Sequence, residues 1–462
     1  MTATLVLPDW IARDISKAAR EHDEAAAVLL AGVARTSSGL RLLGRELHWV
    51  PNHAYDRRTS RSLSIRSEGY TKALARCEQI HATPMWLHTH PGKRGIPISS
   101  HYDRIVDDQL QSTFRIRSGA NIYASAVFSP AEPWFTFSGE VWVGGDPVAD
   151  SVTRTLVIGS RWSLLSSEHA PHDSIVPPLF DRQVRAFGGD IQRVLSQLRI
   201  GVVGCGGTGS AVSEQLIRLG IRCLLLIDPD NLSETNLTRV YGSTPDRVGA
   251  PKVDVLASSL QRIAPDARID RCVGSITTRA VAQELTSCDI VFGCTDDNAG
   301  RLVLSRLSSY YIAPVIDVGV LLSSSNGRME GIDGRITVLS PGLACLVCRG
   351  RVDLGRAHAE QLDPAERGAL QKEGYASELG GIEPAVVPYT SLVAGFGVAE
   401  LLERFIGYGP EPEPGELLIR CHDRELSTNS QLPAPRHYCN PIDGAIGYGD
   451  SDPYLGQAWR DA

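Results

Sequence analysis

Apolar and polar positions follow two different patterns along this chain, and the change between them divides it. Residues 9–22, "DWIARDISKAAREH", carry a helical period. Residues 24–35 and 40–52 are apolar-rich runs on either side of the turn "TSSG", which predicts two strands. Residues 67–81 read as a second helix, and "PMWLHTHP" (84–91) as a strand that ends at two histidines. Residues 121–129 and 133–145 resemble further strands. The pattern over 1–165 therefore predicts a mixed α/β domain. Residues 166–177, "SSEHAPHDSIVP", are polar and contain proline, as a linker would. From Leu198 to Asp230 the order is strand, glycine turn, helix, strand, the opening of a doubly wound parallel sheet. The runs 288–296 and 314–322 continue that sheet, so 178–462 reads as a Rossmann-like α/β domain. Residues 351–380 are charged and read as a helical or mobile insertion, and no internal repeat interrupts the pattern.

Composition narrows the function classes. The chain has 462 residues, 21% of them charged, and a net charge of −7 without a long basic run. That argues against nucleic acid as a partner. No stretch reaches the roughly 18 uninterrupted apolar residues of a membrane span, and the N-terminus lacks a signal-peptide pattern. Of ten cysteines, only Cys345 and Cys348 form a C-x-x-C pair, and Cys205, Cys223, Cys288 and Cys294 sit in apolar or Gly-rich contexts. A reducing cytoplasm is the natural expectation.

The first chemical candidate is "WLHTHPGKRGIPISSHYD". His88 and His90 alternate at a strand end, so their side chains point the same way. Asp103 can complete three protein ligands to zinc, with water in the fourth position. Zinc lowers the pKa of that water toward about 7, and a carboxylate must then take its proton. Glu24 is the first choice for that base and Glu21 the alternative. Ser100 can donate to an oxyanion. Glu24, H-T-H-P and S-x-x-D together resemble the JAMM (JAB/MPN) metalloproteases. The resemblance covers about the first 150 residues, and nine residues lie between His90 and Ser100, two more than in the family pattern. It implies cleavage after the C-terminal glycine of a ubiquitin-like protein.

The second candidate is "GVVGCGGTGS". Gly204, Gly206, Gly207 and Gly209 follow an apolar strand and open a helix, where backbone N–H groups hold phosphate. Asp228 ends the next strand, where a carboxylate reaches ribose hydroxyls. Asn236 follows, and then Arg239 and Lys252, two cations that a triphosphate needs and hydride transfer does not. Asp296 in "CTDDN" offers a carboxylate to Mg²⁺. The ordered set, together with "FDRQVRAFG" before it, resembles the ThiF-type adenylyltransferases over roughly 178–462. Thirteen residues separate Arg239 from Lys252 in numbering and 44 separate Lys252 from Asp296. The resemblance implies attack by a glycine-terminated protein's carboxylate on the α-phosphate of ATP, with loss of pyrophosphate. It also implies a homodimer in which Arg182 reaches the partner's triphosphate.

Cys345 and Cys348 have zinc-knuckle spacing. By the same resemblance a second pair closes the site, here His437 and Cys439, with Cys421 as the alternative ligand. Residues 349–420 contain no cysteine, so the usual thioester position of activating enzymes is empty. The fusion resembles bacterial ubiquitin-like conjugation systems, some of them antiviral, with a ubiquitin-like protein and a conjugating enzyme as expected partners. The alternative is sulfur-carrier activation with hydrolysis of the carrier's product. A third reading is a docking scaffold with a degenerate JAMM domain.

Overall fold

A computed structural model describes residues 2–92, 95–144, 148–167, 176–325, 328–372 and 385–459. The expected linker lies mostly outside these residues: Ser166 closes a strand, and 168–175 are not described. The chain divides into two compact units. One is Met1–Ser174 with Tyr310–Ile312 and Ile446–Asp452; the other is Ile175–Ser309, Ala313–Ala445 and Pro453–Ala462.

The first unit runs β1 (Thr2–Pro8), α1 (Asp9–Ala19), β2 (Ala26–Thr36), β3 (Gly39–Trp49), β4 (Tyr55–Thr59), β5 (Ser62–Ile65), α2 (Glu68–Gln79), β6 (Thr83–Thr89), α3 (His101–Ser118), β7 (Ile122–Pro130), β8 (Phe135–Val143), β9 (Asp150–Ile158) and β10 (Trp162–Ser166). The order β1-β3-β2-β6-β7-β8-β9 closes on itself through β1–β9 pairing, a seven-stranded mixed barrel with β10 added on β9. The sequence pattern predicts an α/β domain here but not the closure, because neither closing strand announces its partner. Central β2 is buried on both faces. Ala27, Leu29 and Ala31 pack with β1, β7, β8 and α1, while Ala26, Val28 and Leu30 pack with α2 and α3. A strand covered on both sides reads as a continuous apolar run, and this one does. The same alternation turns Trp86 of β6 and Tyr123 of β7 toward α2 and α3.

The late segment joins this unit for a steric reason. Val33 bridges Gly449, and Asp450 N–H donates to Val33 O at 2.8 Å. A Cβ on Gly32 would fall 1.9 Å from Gly447 O, so only glycine admits the segment.

The second unit runs α4 (Asp181–Phe187), α5 (Gly189–Gln197), β11 (Arg199–Val203), α6 (Gly207–Leu219), β12 (Cys223–Ile227), α7 (Lys252–Ile263), β13 (Arg268–Cys272), α8 (Arg279–Glu284), β14 (Ile290–Gly293), α9 (Asn298–Tyr310), β15 (Val315–Ser325), β16 (Arg328–Leu339), α10 (Leu354–Gln361), α11 (Pro364–Lys372), α12 (Val387–Ile406), β17 (Glu416–Arg420) and β18 (Glu425–Asn429). Its sheet order is β13-β12-β11-β14-β15-β16-β17-β18. The first five strands are parallel and the last three antiparallel. Strand order reverses between β11 and β14, and the crevice outside their C-terminal ends is where such sheets bind ligands. The charged stretch 351–380 forms α10 and α11 as far as Lys372, and its remainder lies outside the described residues. Among the described residues no helix is long and apolar enough to cross a membrane.

Candidate functional site

In the first unit, β6 and α3 bring three ligand types together. His88 is near the end of β6, His90 just beyond it, and both are buried. His88 Nε2 lies 3.2 Å from His90 Nε2 and 3.3 Å from Asp103 Oδ1, and His90 Nε2 lies 3.8 Å from Asp103 Oδ2. Ligands held at zinc bond lengths in a tetrahedron stand about 3.3 Å apart, so this donor set fits that ion. Ser100 caps α3: its Oγ accepts from Asp103 N–H at 3.2 Å, and its own N–H donates to Asp103 Oδ2 at 2.6 Å. That leaves Oδ1 toward His88. Burial pushes the Asp103 carboxyl up, but His88 and Ser100 outweigh it and hold it below the usual carboxylate range.

Glu24 is buried beside this strand end. Ala25 and Thr89 exchange hydrogen bonds at 2.9 Å, and Ala26 pairs with His88, so Glu24 lies just past the histidine end of the β2–β6 ladder. Glu21 is instead half-exposed in an ion pair with Arg58.

In the second unit the glycine turn joins β11 to α6. Gly204 has φ +89, and a Cβ on it would meet Cys294 O at 2.6 Å. A Cβ on Gly209 would lie 1.7 Å from Gly204 O. Gly206, the N-cap of α6, faces open space. Gly207 packs under Thr390 and the stem of Arg239, so that arginine stands at the start of α6. Asp228 is buried past the end of β12, where its carboxylate accepts from Cys205 N–H at 2.6 Å and Asp230 N–H at 2.8 Å. Burial raises its pKa and Lys252 opposes that rise.

Lys252 opens α7, with Nζ 2.7 Å from Asp230 Oδ2 and 3.9 Å from Asp228 Oδ1. Sequence reasoning missed Asp230, although the second aspartate of "DPD" was the available signal. Asn236 is buried, and its Oδ1 accepts from Ser233 N–H at 3.0 Å. In "CTDDN" the two carboxylates part company. Asp297 accepts from Thr295 and from Gly300 N–H in the first turn of α9, whereas Asp296 is exposed.

The structure does not bring Arg182 to this turn within one chain. Arg182 is exposed on α4, whose neighbour Gln183 donates to Arg218 O at 2.9 Å, and Phe180 sits against Gly220. Both contacts are at the C-terminal end of α6, roughly 20 Å of helix from the glycines.

Cys345, Cys348, His437 and Cys439 gather within 4.8 Å. Cys348 Sγ is 3.7 Å from Cys439 Sγ and 3.4 Å from His437 Nδ1, which is 3.6 Å from Cys345 Sγ. Thiolates on one tetrahedral zinc stand about 3.7 Å apart, so this set fits that ion as well. The Cys345 thiol is pulled below its ordinary range by the thiol of Cys439, against burial. Cys421, the alternative ligand, is not in the cluster; it follows β17 and donates its N–H to Ile332 O at 2.9 Å.

Comparison with known proteins adds a family. The profile of the ThiF family matches residues 180–440. Ubiquitin-like modifier-activating enzyme 5 of Oryza sativa is 28% identical over 225 residues, 46% of this chain and 48% of that protein. Molybdopterin-synthase adenylyltransferase of Escherichia coli is 28% identical over 255 residues, 54% of this chain and 90% of that protein. Among solved structures, E. coli MccB with MccA-N7isoASN aligns at a TM-score of 0.45 and 17% identity, covering 56% of this chain and 74% of that one. The chain spans about half the length of the ubiquitin-like modifier-activating enzymes it matches.

Proposed function

The chain belongs to the ThiF family, and from that premise we propose that its second unit adenylates the C-terminal carboxylate of a small glycine-terminated protein of the ubiquitin-like or sulfur-carrier class. One observation carries the reading. A glycine turn, a buried Asp228 and the cations Arg239 and Lys252 converge at the C-terminal edge of a parallel sheet. The turn and the first N–H groups of α6 receive phosphate. Asp228 holds ribose hydroxyls. A carboxylate oxygen of the partner then attacks the α-phosphorus, the bond from that phosphorus to the bridging oxygen breaks, and pyrophosphate leaves. Arg239 and Lys252 offset the charge that spreads over the phosphates. Asp296 would hold Mg²⁺, which supplies further charge neutralisation when bound. Arg182 serves the neighbouring site of a homodimer, which accounts for its distance from the turn in its own chain.

For the first unit we propose a zinc-dependent peptidase acting after the glycine of the same partner. His88, His90 and Asp103 would hold the ion. Zinc supplies Lewis acidity and an acidified water when bound. Buried Glu24 would serve as the base toward a water held there, and the Ser100 hydroxyl would serve as a donor toward the oxygen of the scissile carbonyl. In support are the fit of the three donors to one ion and the burial of Glu24 beside them.

The runner-up for the pair of sites is sulfur-carrier chemistry. It is favoured by the lack of any cysteine in residues 349–420 and by the near full-length match to molybdopterin-synthase adenylyltransferase.

The deciding experiment is ATP–pyrophosphate exchange by the full chain with glycine-terminated small proteins. Exchange that requires both the partner and Lys252 supports the adenylation reading. Absence of exchange with every ubiquitin-like and sulfur-carrier protein tried sinks it. Cleavage of a glycine-linked fusion that is lost in Glu24→Gln with zinc retained supports the peptidase; cleavage that survives overturns it.

A further inference from the structure

Asp107 is a buried carboxylate that neither proposed reaction uses. It lies one turn after Asp103 on α3, and it is 7% exposed. Its Oδ1 accepts from Tyr123 OH at 2.7 Å and its Oδ2 from Ser125 Oγ at 3.0 Å. Both donors are on β7, Tyr123 is fully buried, and both donors are neutral. Burying a carboxylate with only hydroxyl partners is costly; burial raises its pKa above the usual carboxylate value, and the two hydroxyls only partly oppose that rise. An apolar residue would tie α3 to the sheet at less cost, so the polar tie calls for a function that directional bonds serve better.

The register suggests one. β6 and β7 are parallel neighbours in which Trp86 pairs with Ser125 and His88 with Val127. From His88 back to Trp86 is about 6.6 Å along a strand. From Asp103 down to Asp107 is about 6 Å along a helix. The two steps match. Fixing Asp107 at the level of Ser125, and hence of Trp86, sets Asp103 at the level of His88.

Apolar packing alone would not fix that height. Phe114 meets Trp86 at a ring separation of 6.1 Å and Tyr123 at 5.6 Å, broad contacts that tolerate sliding along the helix axis. Two hydrogen bonds on one carboxylate do not tolerate it. We propose that Asp107 is a positioning residue: through Tyr123 and Ser125 it pins α3 at the one height where Asp103 reaches the metal held by His88 and His90. The proposal rests on reading those three residues as zinc ligands.

The test is titration of the metal-free full chain with Co²⁺, whose spectra separate a nitrogen–oxygen site from the thiolate cluster of Cys345, Cys348 and Cys439. The cluster serves as an internal control. Asp107→Ala should weaken Co²⁺ at the nitrogen–oxygen site about 10- to 100-fold, the usual effect of losing an outer partner of a metal ligand. The thiolate bands should titrate as in the wild type. Asp107→Asn keeps the shape and an acceptor, and should restore affinity to within a few fold. The double variant Tyr123→Phe, Ser125→Ala keeps the carboxylate, removes its anchors, and should weaken the site like Asp107→Ala.

Wild-type Co²⁺ affinity in a folded Asp107→Ala or in the double variant overturns the proposal. So does a parallel loss at both metal sites, which would mean general destabilisation. If His88→Ala removes no Co²⁺ from the wild-type total, the zinc reading itself has failed and the proposal falls with it; that outcome is distinct because it appears without touching Asp107.

Discussion

Gly206 and Gly209 share one turn but obey different constraints. Gly209 is fixed by the fold, since its Cβ would lie 1.7 Å from Gly204 O. Gly206 has φ −74 and nothing within 4 Å of a Cβ, so an alanine there fits the free protein. Its absence of a side chain matters only when something else occupies that space. Gly209→Ala should therefore lower the melting temperature sharply. Gly206→Ala should melt like the wild type and lose at least tenfold in ATP affinity, read by calorimetric titration. Equal melting losses in both would show that Gly206 serves the fold alone. Asp317 presents the opposite case, a fully buried carboxylate with Arg335 at 2.8 Å and Arg301 at 3.5 Å. Removing it strands two part-buried guanidinium groups, so Asp317→Ala should cost about 3–5 kcal/mol in denaturant unfolding. At this scale the sequence showed the glycines, Asp228, Arg239 and Lys252 by type and order. Asp107 and Asp317 stayed hidden because a single aspartate has no period, and its partners lie on other elements.

The first turn of α3 shows how one short motif can serve two ends. Ser100 and Asp103 make a capping box, and the same two residues are the S-x-x-D of the proposed peptidase. Stability and chemistry can be pulled apart here. Ser100→Ala should cost about 1 kcal/mol and Ser100→Gly only a few tenths. If the hydroxyl also steadies the attacked carbonyl, both variants lose cleavage of a glycine-linked fusion equally, in spite of their different stabilities. Cleavage that follows stability would leave Ser100 with the cap alone. Strands buried on both faces were legible as continuous apolar runs: β2, β6, β11 and β12 all stand where the apolar pattern predicts them. The pairing of β1 with β9 was not, since it joins residues some 150 positions apart and period carries no address. The β4–β5 hairpin was missed for a related reason: its polar strands, "YDRRT" and "SLSI", have no continuous apolar face.

Across the whole molecule, the strongest demand comes from Arg182. It stands near the far end of α6, roughly 20 Å from the glycine turn of its own chain. No side-chain rotation spans that gap, so an Arg182 that acts on ATP must come from a second copy. The consequence is a complementation that single-chain catalysis forbids. Arg182→Ala and Lys252→Ala chains should each be inactive in ATP–pyrophosphate exchange. In a twofold dimer that mixes them, the Arg182→Ala chain keeps Lys252 and receives Arg182 from its neighbour. That site is whole, while the other lacks both groups. Random mixing after unfolding and refolding makes half the dimers mixed, each with one of two sites restored, which is about one quarter of wild-type exchange. If the mixture stays as inactive as its parts while the dimer forms, Arg182 does not act across the interface. Its place in the sequence pattern would then reflect the packing of α4 on α6, and the triphosphate would need another cation, for which Arg301 at the start of α9 is the first to replace.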